Sequence, residues 1–150
     1  MENYRSSEMG IAVKNLWDFY RDCYNNVEIL EKKFMEILKK DDEIIKGITD
    51  ISQKFIYISN TLDHYRRIVT QYYDYMVYCF ENKIIPKSFI HELLTERDLE
   101  IIPNILIPMD YVNAIYVGRK FKDKHHFISK EPSIRKKLKL YKDSKDYFLK

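Results

Sequence analysis

The chain has 150 residues, 45% of them hydrophobic and 33% charged, and its formal net charge is +3 at pH 7. This length suits one domain with a single core, and the composition excludes a disordered chain. No stretch of about 18 apolar residues is present, and residues 1–8 lack the pattern of a secretory signal. The sequence therefore predicts a folded cytoplasmic protein that neither spans a membrane nor is exported.

A regular apolar seam runs from Leu16 to Cys79, at alternating steps of four and three residues. This spacing is typical of packed α-helices, and only Asp41 interrupts it with a charge. A single helix of that length would measure about 95 Å and would need a coiled-coil partner. The seam residues are Leu16, Tyr20, Cys23, Val27, Leu30, Phe34, Ile37, Ile44, Ile48, Ile51, Phe55, Ile58, Leu62, Tyr65, Val69, Tyr72, Met76 and Cys79.

A turn within residues 39–50 would instead fold the seam onto itself. Lys39 and Lys40 favour a helix C-terminus, and Asp41 and its neighbours favour an N-terminus. Gly47 and the residues after it offer a second stop and start, so the position of the turn stays open. We predict this arrangement, a long antiparallel helical hairpin with coiled-coil-like packing. The cysteines of the seam, Cys23 and Cys79, are then expected to be reduced thiols in the core.

Shorter helices are predicted to complete the hairpin into an all-α bundle, because apolar residues beside the seam widen its stripe. Asn82 is expected to end the second long helix, and Pro86 begins a short one. Pro103 and Pro108 predict a broken, buried connector over residues 101–108. Gly118 is expected to end the next helix, and Pro132 to begin a last, basic one.

The charge is divided at Gly118. Residues 119–150 hold twelve Lys or Arg against four Asp or Glu, a net of +8, and residues 1–118 carry −5. We therefore predict one domain made of an acidic helical bundle, residues 1–118, and a basic C-terminal arm, residues 119–150. The arm would bind nucleic acid, another polyanion or an acidic protein, unless it lies across its own acidic bundle or is simply solvated. The candidate contacts are Lys120, Lys122, Lys124, Arg135, Lys136, Lys137 and Lys139.

Arg119 is followed by His125 and His126, with five or six residues between. This spacing resembles the Arg-x(4 to 6)-His motif of the HEPN ribonucleases, which are small all-α domains. The resemblance implies a homodimer in which Arg119 steadies phosphate charge while His125 or His126 performs metal-independent acid-base cleavage of RNA. Lys120 stands where that family usually has Asn, Asp or His.

Four tyrosines, Tyr72, Tyr73, Tyr75 and Tyr78, surround more than one side of a predicted helix. They cannot all face one core, so we expect either packing at the core edge or a protein-binding or self-association surface. Residues 58–94 also resemble an uncharacterised prokaryotic all-α family, in which a long helix ends in a comparable short hinge. That resemblance implies a fold and no activity.

No motif predicts a metal or a cofactor. The histidines, His64, His91, His125 and His126, are not spaced as helical ligand pairs. The first functional hypothesis is therefore a non-enzymatic helical interaction module, regulatory or structural, whose basic arm contacts a polyanion or an acidic protein. The alternatives are a HEPN-like homodimeric ribonuclease and a virus- or phage-encoded inhibitor that occupies a protein in the host cytoplasm.

Overall fold

The computed structural model describes residues 7–148, and within them it contains helices and turns without a strand. The all-α prediction is confirmed. Most of the segment 1–8, predicted to lack an export signal, lies outside the described range. Within that range no helix combines the length and apolar character needed to cross a membrane. The α-helices are α1 (Ser7–Asp22), α2 (Val27–Lys46), α3 (Ile51–Ile58), α4 (Leu62–Glu81), α5 (Ile90–Leu93), α6 (Glu96–Ile101), α7 (Ile107–Tyr116), α8 (Lys124–Lys130) and α9 (Pro132–Phe148).

The first rod of the predicted hairpin is interrupted between α1 and α2. Tyr24 and Asn25 adopt left-handed backbone conformations, with φ of 58° and 52°, which end a right-handed helix. The side chain of Asn26 then accepts a hydrogen bond from the Ile29 N–H at 3.0 Å and caps α2. The prediction of one continuous helix here was wrong because seam spacing does not report a local cap.

The second rod is interrupted between α3 and α4, where three polar residues occur in succession. The Ser59 hydroxyl and the Asn60 amide donate to carbonyls of the preceding turn, at 2.8 and 2.7 Å. Thr61 then accepts from the His64 N–H at 3.2 Å and caps α4. These side chains compete with the helical backbone ladder, so the chain turns although the seam continues.

The helices do not pair as two long rods. The turn between α2 and α3 lies at residues 47–50, inside the predicted range, but α1 packs mainly against α4, and α2 against α7. Glu8 lies 3.9 Å from His64, at the first turns of α1 and α4. Farther along, Val13 and Trp17 of α1 line a small cavity with Tyr72 and Tyr73 of α4. Helices α1 and α4 therefore run in the same direction.

Both ends of the seam form the core, but its middle does not. Leu16, Leu30 and Val69 are among the fully buried residues. Cys23 and Cys79 are buried and unpaired, as predicted, and burial raises the pKa of the Cys23 thiol. The seam prediction was wrong for four residues around α3, which are exposed: Ile44, Ile51, Phe55 and Ile58.

Residues 101–108 are mostly buried and form a continuous helical segment. A π-helical segment, Ile102–Leu106, joins α6 to α7, and the Ile107 N–H bonds to the Ile102 carbonyl. This wider turn admits Pro103, which cannot donate to a helical ladder, and Pro108 lies in the first turn of α7. The prediction of a broken connector was therefore wrong, although both prolines mark the change of helix type.

The C-terminal helices pack onto the body. Gly118, with φ of 96°, follows α7 as predicted, and Pro132 begins α9. Phe127 of α8 and Ile134 and Leu140 of α9 are buried, and α9 contacts α4 and α6. A 3-10 helix, Lys87–Phe89, precedes α5, which also contacts α9. The basic segment thus packs against the rest of the described chain.

A buried arginine ties α4 to α7. Nη1 of Arg66 lies 2.6 Å from Oδ1 of Asp110, and its Nη2 lies 2.8 Å from Oδ1 of Asp63. Burial disfavours the guanidinium charge, but the two carboxylates outweigh it and raise the pKa of Arg66. Burial also raises the pKa of Asp110, against the attraction of Arg66. Each charge is tolerated inside the protein only because the others are present.

We expect Arg66→Met to lower the free energy of unfolding by about 3 kcal/mol, because it leaves the buried carboxylate of Asp110 without its cation. Urea unfolding followed by circular dichroism measures this. The matched control is Arg67→Met, since the Arg67 side chain is 64% exposed and 3.1 Å from Asp63. That change should cost under about 1 kcal/mol. Equal losses for the two variants would contradict the role given to Arg66.

Candidate interaction surfaces

Some lysines of the basic C-terminal segment form ion pairs with acidic residues of residues 1–118. Nζ of Lys124 lies 2.7 Å from Glu31 in α2. Nζ of Lys136 lies 3.4 Å from Glu81, at the end of α4. Two of the predicted polyanion contacts are therefore already paired within the chain. Lys124 and Lys136 therefore agree with the alternative in which the basic segment lies across its own acidic bundle.

Lys137 is the clearest correction to the predicted polyanion site. Its side chain is only 1% exposed, and its Nζ lies 2.5 Å from Oδ1 of Asp74 in α4. A buried ammonium cannot reach the phosphate of a macromolecule in solution. The basic run at residues 135–137 did not reveal this, because the helical position that turns inward is set by packing against α4.

Four of the predicted contacts remain exposed. Within residues 7–148, no carboxylate pairs with Lys120, Lys122, Arg135 or Lys139. The Arg135 guanidinium donates to the Ser129 carbonyl, which holds it near α8. Together these four residues, here named the basic surface, retain the charge through which a polyanion could bind.

Arg119 does not meet either histidine of the predicted catalytic pair. Its guanidinium pairs with Glu131 and lies 5.0 Å from the ring centre of Phe121. Nδ1 of His126 accepts a hydrogen bond from the Lys122 N–H at 3.1 Å, and its ring packs against Phe121. His125 is exposed on the first turn of α8. The HEPN-like pair stays a prediction, since its geometry depends on a second subunit.

Of the four clustered tyrosines, two are buried in the core and two are exposed. Tyr72 and Tyr73 are buried against each other edge to face, and the Tyr73 hydroxyl donates to the Asp98 carbonyl. These two were wrongly included in the predicted interface, because their side of α4 faces α1. Tyr75 and Tyr78 are exposed, at 42% and 55%.

An apolar surface on α3 was not predicted as a site. None of the eight residues of α3 is buried, and Ile51 and Phe55 are 84% and 71% exposed. Ile58 and Ile44, the latter near the end of α2, are 38% and 37% exposed. These four residues are named the α3 face. Monomeric proteins seldom expose several large apolar side chains together unless the patch binds something.

Polar contacts hold α3 in place and leave this face uncovered. The Tyr57 hydroxyl donates to Oδ1 of Asp41 at 2.8 Å, and this hydrogen bond raises the pKa of Tyr57. Oδ1 of Asp50 accepts from the Ser52 and Gln53 N–H groups at 2.8 and 3.1 Å. Asp41, the one charge in the seam, thus anchors α3 to α2. In the sequence, the charge of Asp41 at a seam position was the feature that could have indicated the end of the buried seam near α3.

A polar cleft of about 230 Å³ lies between α4, α7 and α9. Its cations are Arg66, Lys137 and Arg119, and each pairs with a carboxylate of the chain. Across the described part of the chain, no three His, Cys, Asp or Glu residues are grouped as metal ligands. The cleft therefore resembles a structural network of ion pairs more than a reactive site.

Comparison with protein-family models, with curated proteins and with solved structures finds no match to this chain. Functional argument therefore rests on the surfaces described above.

We expect Lys137→Ala to lower the free energy of unfolding by about 2 kcal/mol, because it removes a buried charged hydrogen bond that docks α9. Lys136→Ala is the matched control, since its side chain is 52% exposed. That change should cost under about 1 kcal/mol. Thermal or urea unfolding compares the two, and a larger loss for Lys136→Ala would show that α9 is held in another way.

Proposed function

We propose that the protein is a non-enzymatic helical interaction module that binds another protein through the α3 face. The observation that carries this proposal is the exposure of α3, which has no buried residue although most of its side chains are apolar. A helix that is apolar on several sides is ordinarily covered by other elements. Here those elements would come from a partner.

The size of the α3 face is sufficient for binding. From the four exposures, its area is roughly 400 Å², taking about 150–250 Å² for one large side chain. Burying it would contribute about 10 kcal/mol before the cost of association is subtracted. A specific complex is therefore within reach of this face and the polar groups around it.

The α3 face is also preorganised. The Asp50 cap and the hydrogen bond between Tyr57 and Asp41 order α3 without using its apolar side chains. A partner would thus find the helix already formed, and less conformational entropy would be lost on binding. This favours a docking function over a helix that merely lacks a place in the core.

The basic surface supports a second candidate function, polyanion or acidic-protein binding. Its four cations have no carboxylate partner among the described residues, and they lie on the segment whose net charge is +8. Such a surface attracts nucleic acid without reading its sequence, because bound cations release counterions. The HEPN-like ribonuclease and the viral or phage inhibitor remain alternatives, and the inhibitor would use the same α3 face.

A photo-crosslinking phenylalanine analogue in place of Phe55 is expected to capture a protein in the cells that naturally contain this chain. The same analogue in place of Tyr24, an 80% exposed residue outside α3, is the matched control. Mass spectrometry of the adducts identifies the captured protein, whether it is a second copy or another chain. Equal adducts at both positions, or none at position 55, would remove the proposal.

The polyanion function is tested by replacing Lys120 and Lys122 together with alanine. We expect weaker binding to RNA, DNA and heparin. Between roughly 50 and 200 mM salt, the affinity should also fall less steeply with salt concentration, by the equivalent of up to about two phosphate contacts. The control is a double change of Lys32 and Lys33, two exposed lysines of α2, to alanine. Identical affinities for the two variants would exclude a role for the basic surface.

A further inference from the structure

We infer that the partner of the α3 face is a second copy of this chain, joined in a two-fold symmetric dimer. This inference rests on the proposed function and narrows it to one partner. Its basis is the shape, area and charge of the face itself. A two-fold interface requires one patch that is complementary to its own copy.

The shape of the face suits pairing with itself. Ile51, Phe55 and Ile58 are spaced four and three residues apart, so they form one stripe along α3 with Phe55 in its middle. Stripes with this spacing pack side by side in coiled coils, each side chain entering a gap between those of the other helix. When two copies meet about an axis near Phe55, each stripe meets an identical stripe.

The area of the face matches what a dimer needs. A stable interface buries about 800 Å² on each partner, and in homodimers about two-thirds of this is apolar. The roughly 400 Å² of exposed apolar side chain on the α3 face supplies about three-quarters of that share. Ile56, which is 54% exposed on the same helix, can add to it. Polar residues at the ends of α2 and α3 would supply the rest of the interface.

The charge around the face favours a copy over a strongly charged partner. Residues 39–54 contain four lysines and four Asp or Glu residues, so their formal charge is zero. Such a surface gives no attraction to a polyanion or a basic peptide. Two copies related by a two-fold axis can place cations of one rim opposite anions of the other. The net charge of +3 on the chain is carried elsewhere, mainly by residues 119–150.

Exposed apolar residues also occur away from α3. Ile84, for example, is 60% exposed and follows the end of α4. Single exposed apolar side chains are ordinary on protein surfaces and need no partner. Ile84 therefore offers a matched control for substitutions in the α3 face.

Sedimentation equilibrium of the purified chain over a wide concentration range tests the inference. We expect a concentration-dependent species of twice the 18.3 kDa chain mass. Phe55→Lys should raise the dissociation constant at least about 30-fold, as for a central interface residue, and Ile84→Lys should leave it unchanged. Because Phe55 is exposed, the variant should keep its helical circular dichroism, and Ile51→Lys provides a second variant with the same expected loss.

A covalent test locates the contact. Cys23 and Cys79 are buried, so an introduced exposed thiol is the one that oxidises readily. Phe55→Cys should give a disulfide-linked dimer under mild oxidation, and Ile84→Cys should not. A chain that stays monomeric at all concentrations, or a dimer that survives both lysine substitutions, would overturn the inference.

These outcomes are separate from those of the proposed function. If the purified chain is monomeric while the analogue at position 55 captures a different protein, the dimer inference is wrong, but the proposal of an interaction module is supported. If the analogue captures nothing, both are wrong.

Discussion

The packing of the protein depends on the buried guanidinium of Arg66. It bridges Asp63 in the first turn of α4 and Asp110 in α7, helices that are far apart in sequence. Helix α7 in turn packs against α2, and α4 packs against α1, so one charge network connects both halves of the bundle. About two turns beyond Arg66 on α4, Asp74 accepts the ammonium of Lys137 and so connects α9 to α4. Loss of either partner of the Arg66–Asp110 pair would leave an unpaired charge in the interior, which is strongly destabilising.

This arrangement explains why the charge division at Gly118 does not produce a free basic tail. Lys124, Lys136 and Lys137 each meet an acidic residue of the body, and apolar residues of α8 and α9 complete the core. The acidic excess of residues 1–118 is thus partly neutralised within the fold. What remains available to another molecule is the basic surface, which is smaller than the sequence suggested.

Helix α3 differs from the helices that form the core, because it contributes no buried residue. It is capped by Asp50 and anchored through Tyr57, yet none of its residues is buried. The hydrophobic core contains residues of most other helices but none of α3. A helix that is ordered but uncovered is well suited to association, and the neutral charge around it is compatible with the pairing of two copies that we propose.

The sequence by itself determined the helical class, the ends of several helices and most of the core. Asn82, Gly118 and Pro132 act locally, through backbone conformations and caps that any fold would respect, and the three-and-four spacing at Leu16, Leu30 and Val69 does bury those residues. Only the tertiary structure decided that the seam fails at Phe55, that Lys137 is inside and that Arg66 meets Asp110. The two ion pairs join residues that are 44 or more positions apart, so they depend on which helices become neighbours. The spacing of apolar residues indicates which face of a helix is buried, but it does not indicate which other helix covers that face.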